Sequence, residues 1–355
     1  MDADVDFQNL LGTIIEPATQ LPLSQLKMVK SVSIDGDQVS VHIELPTPAY
    51  AWTNLLTGLI ETAAKTNLKG NKTAQVQYSS TVKGKQAGGN IGLKIKNIIA
   101  VGSGKGGVGK STVSAALAYG LKEWGATVGL MDADVYGPSI PHLTGATGQP
   151  AIRQYPTGDG RFFERIEPIE ANGIKTISMG FMIDPDQAVI WRGPMLHKAL
   201  GQFLQQTDWG ELDYLVIDMP PGTGDVALTL SQMVPLAGAV VVCTPQQVAL
   251  LDAGKAISMY NTVKIPILGM VENMTGEIFG RGGAKAKAES AGIEFLGEIP
   301  SDAIIRIKGD EGKIAELVAE ESPVREPLMT LASTVAMQVA KKFFESPAMP
   351  TLELL

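Results

Sequence analysis

Two lysines lie in a short glycine-rich segment that has the residue types and spacing of a phosphate-binding loop. Residues 104–112 read GKGGVGKST and satisfy the pattern G-x-x-x-x-G-K-[ST]. In such a loop backbone N–H groups converge on phosphate oxygens, a lysine neutralises their charge and a hydroxyl binds Mg²⁺. Lys110 and Ser111 take the last two roles here. The predicted contact residues are Gly104, Lys105, Gly106, Gly107, Val108, Gly109, Lys110, Ser111 and Thr112.

Carboxylates follow two other apolar runs of strand length. Asp132 and Asp134 come at and after the end of the run 127–132, and Asp218 ends the run 214–218. Ligands of open α/β sheets bind at the carboxyl ends of the strands, so all three acids are expected near the phosphates. Asp218 is predicted to hold Mg²⁺ through its waters. Asp225 either belongs to the same loop or caps the next helix.

Helical stretches separate these runs and predict a doubly wound sheet. The runs 97–102, 127–132, 214–218, 239–244 and 267–272 are short, rich in β-branched residues and nearly continuous in hydrophobicity. Strands buried on both faces of a parallel sheet have this composition. We therefore predict an α/β fold with a mostly parallel sheet, ending in a helix over 323–344.

The pattern of predicted helices and strands changes near residue 90 and divides the chain. Residues 1–82 predict a small α+β domain of order αββαβ, with strands at 29–34, 39–45 and 74–82 and a helix over 48–66. Residues 83–92, rich in Gly and Lys, predict a flexible linker. The P-loop domain is then expected over 93–355.

Bulk composition limits the partners and the location. The chain has 355 residues, 45% of them hydrophobic, and a formal net charge of −8. That charge provides no general field for a nucleic acid. A signal peptide and an apolar run long enough to span a membrane are both missing, so we expect a cytoplasmic protein with no membrane or nucleic-acid partner.

The second lysine of the loop, Lys105, indicates which class of P-loop protein this chain resembles. The residues resemble the deviant Walker A motif of the MinD/ParA/ArsA class, K-G-G-x-G-K-[ST]. The resemblance implies an ATP-bridged homodimer in which Lys105 reaches the partner's nucleotide, although a solvated loop charge is the alternative. It also implies that Asp134 orients the attacking water while Asp132 is structural or supporting. Asn273 would read the adenine amino group, and the GTPase-type N-K-x-D is absent, so ATP is expected rather than GTP.

Residues 98–300 more narrowly resemble the Mrp/ApbC family of iron–sulfur cluster carrier ATPases. The resemblance rests on LMDADVYGPSIPHL (130–143), VIWRGPMLHKAL (189–200), DYLVIDMPPGTGD (213–225), CTPQQVALLDAGKAI (243–257) and ILGMVENM (267–274). It implies ATP hydrolysis in cluster assembly or transfer, with apo iron–sulfur proteins or assembly scaffold proteins as partners. The first domain resembles the small iron–sulfur assembly domain fused in front of such proteins. Arg192 either pairs with an acid or partner residue or senses an anion.

The chain departs from that family where a cluster would bind. Family members carry a C-x-x-C pair shortly after E-N-M, but residues 275–283 read TGEIFGRGG here. The first domain of the family tends to have a cysteine where residues 46–50 read PTPAY. The one cysteine, Cys243, ends an apolar strand and is expected to be buried. His42, His142 and His197 show no ligand spacing. We therefore predict ATP and Mg²⁺ as cofactors and expect no cluster on this chain alone.

Two other functions are compatible with a dimeric ATPase of this class. One is an ATP-dependent dimerisation switch, and the other is a regulatory nucleotide-binding protein that carries no cluster itself. A membrane-patterning switch should end in a basic amphipathic helix, whereas residues 345–355 are short and acidic. The iron–sulfur interpretation is therefore preferred.

Overall fold

The computed structural model describes residues 3–70, 72–84, 93–156, 161–182, 193–222 and 224–345. The chain divides into two compact units. The first consists of Met1–Lys83 and Ala336–Leu355, and the second of Gly84–Val335. Most of the predicted linker, Arg192 and nearly all of the acidic tail lie outside the described residues.

The first unit is a small α+β structure built on its own sheet. Its elements are α1 (Ala3–Gly12), β1 (Val29–Asp35), β2 (Gln38–Leu45), α2 (Thr53–Asn67) and β3 (Thr73–Ser80). The predicted order αββαβ is confirmed. Strand β2 is central, antiparallel to β1 and parallel to β3.

One stripe of α2 fills the core of that unit. Leu56, Ile60 and Ala64 follow each other at intervals of four and are all buried, as an amphipathic helix requires. They pack in a cluster with Phe7 and Leu11 of α1 and with apolar residues of β2.

The second unit contains an open sheet with helices between its strands. Its strands are β4 (Ile95–Ser103), β5 (Val128–Asp132), β6 (Ile152–Pro156), β7 (Phe162–Ile166), β8 (Ile169–Ala171), β9 (Ile174–Ser178), β10 (Leu212–Asp218), β11 (Gly238–Cys243), β12 (Ile267–Thr275) and β13 (Phe295–Pro300). Its helices are α3 (Lys110–Glu123), α4 (Ile140–Thr144), α5 (Gly193–Gln205), α6 (Asp225–Met233), α7 (Gln247–Thr262), α8 (Gly283–Ala291), α9 (Ala303–Asp310) and α10 (Arg325–Glu345).

Eight of the described strands form the main sheet, in the order β13-β12-β11-β4-β10-β5-β9-β8. Every neighbouring pair is parallel except β8 with β9 at one edge. The predicted doubly wound, mostly parallel α/β fold is confirmed. Because the central strands are parallel, the residues at their carboxyl ends meet at one edge.

Some elements carry no clear signal in the sequence. Strands β6 and β7 form a separate antiparallel pair with mostly exposed residues, and β8 and β9 extend the main sheet beyond β5. Helix α10 matches the predicted helix from Arg325 onward. Its residues from Ala336 belong to the first unit, where Met337 is buried in the core. An amphipathic pattern shows that a helix buries one face and does not show which core receives it. Among the described residues, no helix has the length and apolarity needed to cross a membrane.

Candidate nucleotide-binding site

The phosphate loop connects the central strand β4 to helix α3, as the sequence predicts. At two of its glycines a larger side chain would clash with neighbouring atoms. A Cβ on Gly104 would lie 2.1 Å from the backbone carbonyl of Asp252. A Cβ on Gly109, whose φ is +80°, would lie 2.2 Å from the amide nitrogen of Asn273. The loop is thus pressed between α7 on one side and the end of β12 on the other.

Lys110 lies in a buried cluster with two of the predicted acids. Its Nζ is 2.7 Å from Asp218 Oδ1 and 3.6 Å from Asp134 Oδ2. Lys110 is 6% exposed and Asp218 is 0% exposed. A lysine buried with two carboxylates forms a strong local charge arrangement, in which removing the lysine would leave both carboxylates without this cation.

Hydroxyl groups of helix α3 complete the cluster. Ser111 Oγ donates to Asp218 Oδ2 at 2.6 Å, and Ser114 Oγ donates to Asp218 Oδ1, also at 2.6 Å. Sequence reasoning missed Ser114. Its position four residues after Lys110 places it on the same helix face, which was the available signal. Asp218 therefore accepts from a lysine and two hydroxyls.

Asp134 lies on the loop that follows β5. Its Oδ1 accepts from the backbone N–H of Gly137 at 3.3 Å. Burial and the nearby Asp218 raise the pKa of its carboxyl, against the opposing effect of Lys110. The structure thus brings together Lys110, Ser111, Asp134 and Asp218, four of the residues that the sequence assigns to chemistry.

Asp132 lies beside Asp218, because the two residues are paired in register on β5 and β10. Its carboxylate accepts from Asp134 N, Ile140 N and Ser178 Oγ at 3.0, 3.2 and 2.9 Å. Burial and the Asp218 charge raise its pKa to about 8. Ser178 has no sequence signal, because it ends a strand that the sequence does not predict.

Asn273 is buried near the end of β12, and its Nδ2 donates to the Val108 carbonyl of the phosphate loop at 2.9 Å. A cavity of about 310 Å³ opens beside it. The cavity is lined by Gly109, Thr112, His142, Leu143, Asn273, Met274, Pro300, Ser301, Asp302, Ile305, Arg306, Gly309 and Asp310. The residue that is predicted to read the base thus lies between the phosphate loop and this cavity.

Two other predicted residues lie near this edge. Lys105 is half-buried, and its backbone carbonyl accepts from Ser103 Oγ at 2.9 Å. Asp225 is exposed in the first turn of α6, whose N-cap residue is Gly224. An acid in that turn still complements the helix dipole.

The segment that replaces the C-x-x-C loop is a short hairpin. Gly276 and Gly280 exchange two backbone hydrogen bonds of 3.0 and 2.8 Å, which leaves Ile278 84% exposed at the tip. At its base the buried Glu272 accepts from Gly282 N at 2.6 Å and Ala284 N at 2.5 Å, where α8 begins. The hairpin is therefore anchored by backbone contacts.

Cys243 and the histidines form no cation site. The Cys243 thiol is buried, and its Sγ donates to the Val271 carbonyl at 3.7 Å. Burial and the charge of Glu272 raise its pKa to about 12. Within the described ranges, no group of three His, Cys, Asp or Glu side chains is arranged to hold a metal ion.

Two known protein families match this chain, one in each of its two units. Residues 94–336 match the family of NUBPL iron-transfer P-loop NTPases, and residues 5–78 match the iron–sulfur cluster assembly protein family. The iron–sulfur cluster carrier protein of Synechocystis is 40% identical over 348 residues, covering 93% of this chain and 96% of that protein. The Escherichia coli K12 protein of the same name is 41% identical over 344 residues, covering 93% and 90%.

Solved structures show the same nucleotide-binding fold. An Archaeoglobus fulgidus nucleotide-binding protein in complex with ADP is 39% identical, with a TM-score of 0.54 over 66% of this chain and 91% of that one. The MinD cell division ATPase of Pyrococcus furiosus, 22% identical with a TM-score of 0.50, covers 67% of this chain and 98% of its own, and shares the fold alone. With the phosphate loop and its acids in place, the chain belongs to the family of NUBPL iron-transfer P-loop NTPases.

Proposed function

We propose that this chain binds and hydrolyses ATP as a homodimer and acts in the assembly of iron–sulfur clusters or their transfer to apoproteins. The observation that carries this proposal is the convergence of Lys110, Ser111, Asp134 and Asp218 in one buried cluster behind the phosphate loop. Family membership supports the iron–sulfur role, since the Synechocystis and E. coli relatives are named iron–sulfur cluster carrier proteins. It favours this function over a dimerisation switch or regulator that carries no cluster.

The buried side chains Lys110, Ser111, Asp134 and Asp218 fit a nucleotide phosphate and Mg²⁺. Ser111 and Asp218 present the hard oxygen ligands that Mg²⁺ prefers. Lys110 contacts Asp218 at 2.7 Å. With nucleotide bound, Lys110 would hold a phosphate oxygen and Asp218 would be a ligand for Mg²⁺. When bound, Mg²⁺ neutralises charge on the β- and γ-oxygens.

Asp134 and Lys110 divide the remaining work of hydrolysis. Asp134 lies within 3.6 Å of Lys110 and on a different loop, so it can orient a water towards a phosphate that the lysine holds. Lys110 stabilises the charge that develops on the leaving phosphate. This chain needs no covalent intermediate for that reaction.

Lys105 is assigned to the nucleotide of the partner subunit. It is the second lysine of the phosphate loop, it is half-buried, and the adjoining Gly104 packs against α7. A lysine is a mobile point charge on a long stem, which suits a contact made only when two subunits meet. The homodimer then depends on bound ATP.

Asn273 and the adjacent cavity are assigned to adenine. The side-chain amide has two hydrogens and an acceptor oxygen. Its hydrogen bond to Val108 uses one hydrogen, so the oxygen can accept from the amino group of adenine. The same bond ties the base-reading residue to the phosphate loop.

The iron–sulfur cluster is cargo in this proposal, and its thiolate ligands come from the partner proteins. Thiolates are the usual ligands of iron–sulfur clusters, while the single thiol of the chain is buried with a raised pKa. Apo iron–sulfur proteins or assembly scaffold proteins are therefore the expected partners, in the cytoplasm.

An ATP-dependent transfer assay tests the proposal. A cluster-loaded scaffold and an apo-ferredoxin are mixed with the full chain, with or without ATP and Mg²⁺, and holo-ferredoxin is followed by absorbance. We expect faster transfer only with ATP, and loss of that effect in Lys110→Ala. Lys94→Ala is the control, because Lys94 is an exposed lysine of the same unit paired with exposed Glu211. Hydrolysis without any effect on transfer would point to the switch or regulator.

A further inference from the structure

Asp132 is a buried carboxylate that the proposed chemistry leaves without a role. It is 1% exposed and ends β5 directly beside Asp218. Its carboxylate accepts from three N–H or O–H donors, from Asp134, Ile140 and Ser178. A carboxylate buried with such partners restrains the groups that donate to it.

Two of these donors bracket the loop that carries Asp134. Oδ1 accepts from the N–H of Asp134 at 3.0 Å, near the start of the loop, and Oδ2 accepts from the N–H of Ile140 at 3.2 Å, where α4 begins. One carboxylate therefore closes both ends of residues 133–139. The loop also attaches to the sheet through Ala133 N, which donates to the Asp218 carbonyl at 2.8 Å.

The position of the Asp134 carboxylate depends on this closure. Its backbone N–H is held by Asp132, and its Oδ1 accepts from Gly137 N inside the same loop. Its Oδ2 then lies 3.6 Å from Lys110 Nζ. A loop with freed ends would let the carboxylate move relative to the lysine.

Ser178 supports the arrangement from the next strand. Its hydroxyl donates to Asp132 Oδ2 at 2.9 Å and accepts from Gly180 N at 3.0 Å. A Cβ on Gly180 would lie 3.3 Å from Pro138 and 3.1 Å from Pro141, so this turn packs against the far end of the loop. The end of β9 thus holds Asp132 and the loop together.

We infer that Asp132 is a positioning residue for ATP hydrolysis, which fixes Asp134 opposite Lys110 by closing the ends of the loop 133–139. Ser178 assists by orienting Asp132. The inference rests on the proposed hydrolysis of ATP, and it assigns the two acids of the D-A-D segment different tasks. Asp134 acts on the water, and Asp132 acts through Asp134.

The first test is steady-state kinetics of Asp132→Asn in the full chain. The amide keeps one acceptor oxygen but presents N–H groups where Ile140 N or Ser178 now donate. We expect kcat to fall between about 10-fold and about 100-fold, as for misplaced catalytic groups, with nucleotide affinity unchanged. Ser178→Ala, which removes one donor, should give a smaller fall of the same kind. Asp208→Asn, an exposed acid of the same unit, is the control.

A second readout separates positioning from general stability. In Asp132→Asn, hydrogen exchange should accelerate at the backbone amides of Asp134 and Ile140 and stay unchanged in β5 and β9. Faster exchange across those strands, or an equal loss of nucleotide affinity and kcat, would show a merely structural residue. If Asp132→Asn does not fold, Ser178→Ala carries the same two measurements.

The outcomes also separate this inference from the proposed function. A wild-type chain that binds no ATP or does not hydrolyse it overturns the proposed function and this inference with it. A wild-type chain that hydrolyses ATP, with Asp132→Asn and Ser178→Ala at the wild-type kcat, overturns the positioning role alone.

Discussion

Two buried carboxylates at the carboxyl edge of the main sheet, Asp218 and Glu272, have opposite kinds of partner. Both are 0% exposed. Asp218 accepts from the side chains of Lys110, Ser111 and Ser114, whereas Glu272 accepts from two backbone N–H groups at the start of α8. Side-chain partners can exchange for a phosphate and a cation, but backbone partners are fixed by the fold.

The contrast extends to the two regions that these acids anchor. Around Asp218, Lys110, Ser111 and Asp134 converge in one cluster. Around Glu272, a closed hairpin with an exposed Ile278 lies in the segment that contains no cysteine. Under the proposed function, the region around Asp218 serves ATP, and the thiolates for the iron–sulfur cluster come from the partners.

Replacing each of the two acids with its amide should show the largest difference between the two regions. Asp218→Asn is expected to lower the rate of ATP hydrolysis roughly 1000-fold, because a cation ligand contributes several kcal/mol to the transition state. Glu272→Gln should retain the rate per folded molecule and lose about 2 kcal/mol of unfolding free energy, through one unsatisfied backbone N–H. Equal loss of hydrolysis in both variants, measured by phosphate release and urea unfolding, would contradict the distinction.

Asp134→Ala should separate chemistry from binding on the nucleotide side. We expect hydrolysis to fall about 100-fold, as when a group that positions a proton or water is removed. Affinity for an ATP analogue should be retained, because Lys110 keeps Asp218 as its close partner at 2.7 Å. The affinity is measured by calorimetry, with Asp208→Asn alongside. Lost affinity with a normal rate would reverse the assignment of Asp134.

The sequence predicts the site residues that lie in a continuous motif, but it does not predict those that only strand pairing brings together. Lys110, Ser111 and Asp218 lie on a loop and strand whose pattern is continuous in sequence, and the predicted strand near each is found. Ser178 and Asp132 meet only because β9 pairs with β5. Strand β9 is five residues long and shows no run that predicts its neighbour.

The elements missed elsewhere have a similar cause. Strands β6 and β7 are largely exposed, so they lack the apolar alternation that marks a half-buried strand. In the hairpin segment 275–282 the sequence shows only that the expected cysteines are missing. Glu272 anchors the base of the hairpin through the backbone N–H groups of Gly282 and Ala284, which no side-chain pattern reveals.

Lys105→Ala should affect assembly more than binding. A lysine that contacts the partner's nucleotide contributes nothing to the isolated subunit, so ATP affinity of the monomer should be retained. Dimerisation with a non-hydrolysable ATP analogue, followed by sedimentation velocity, should be lost. Lys94→Ala should dimerise normally. A Lys105→Ala dimer that forms and hydrolyses ATP like the wild type would leave Lys105 as a solvated loop charge.

The thiol of Cys243 should be the least responsive group on the hairpin side. Its pKa is raised from 9.0 to about 12, so the reactive thiolate is scarce below pH 9 in the folded chain. A chromogenic disulfide reagent should detect almost no thiol in the native protein and one thiol per chain after denaturation. Rapid native labelling at pH 8 would show that Cys243 is accessible.

Anaerobic reconstitution of the full chain tests the central claim most directly. The protein is incubated with ferrous iron, sulfide and a thiol reductant, with and without ATP and Mg²⁺, then desalted for iron analysis and absorption spectra. The account predicts substoichiometric iron in both samples from a preparation that hydrolyses ATP, and cluster uptake only after a thiolate-bearing scaffold is added. A stoichiometric cluster on the chain alone would contradict it.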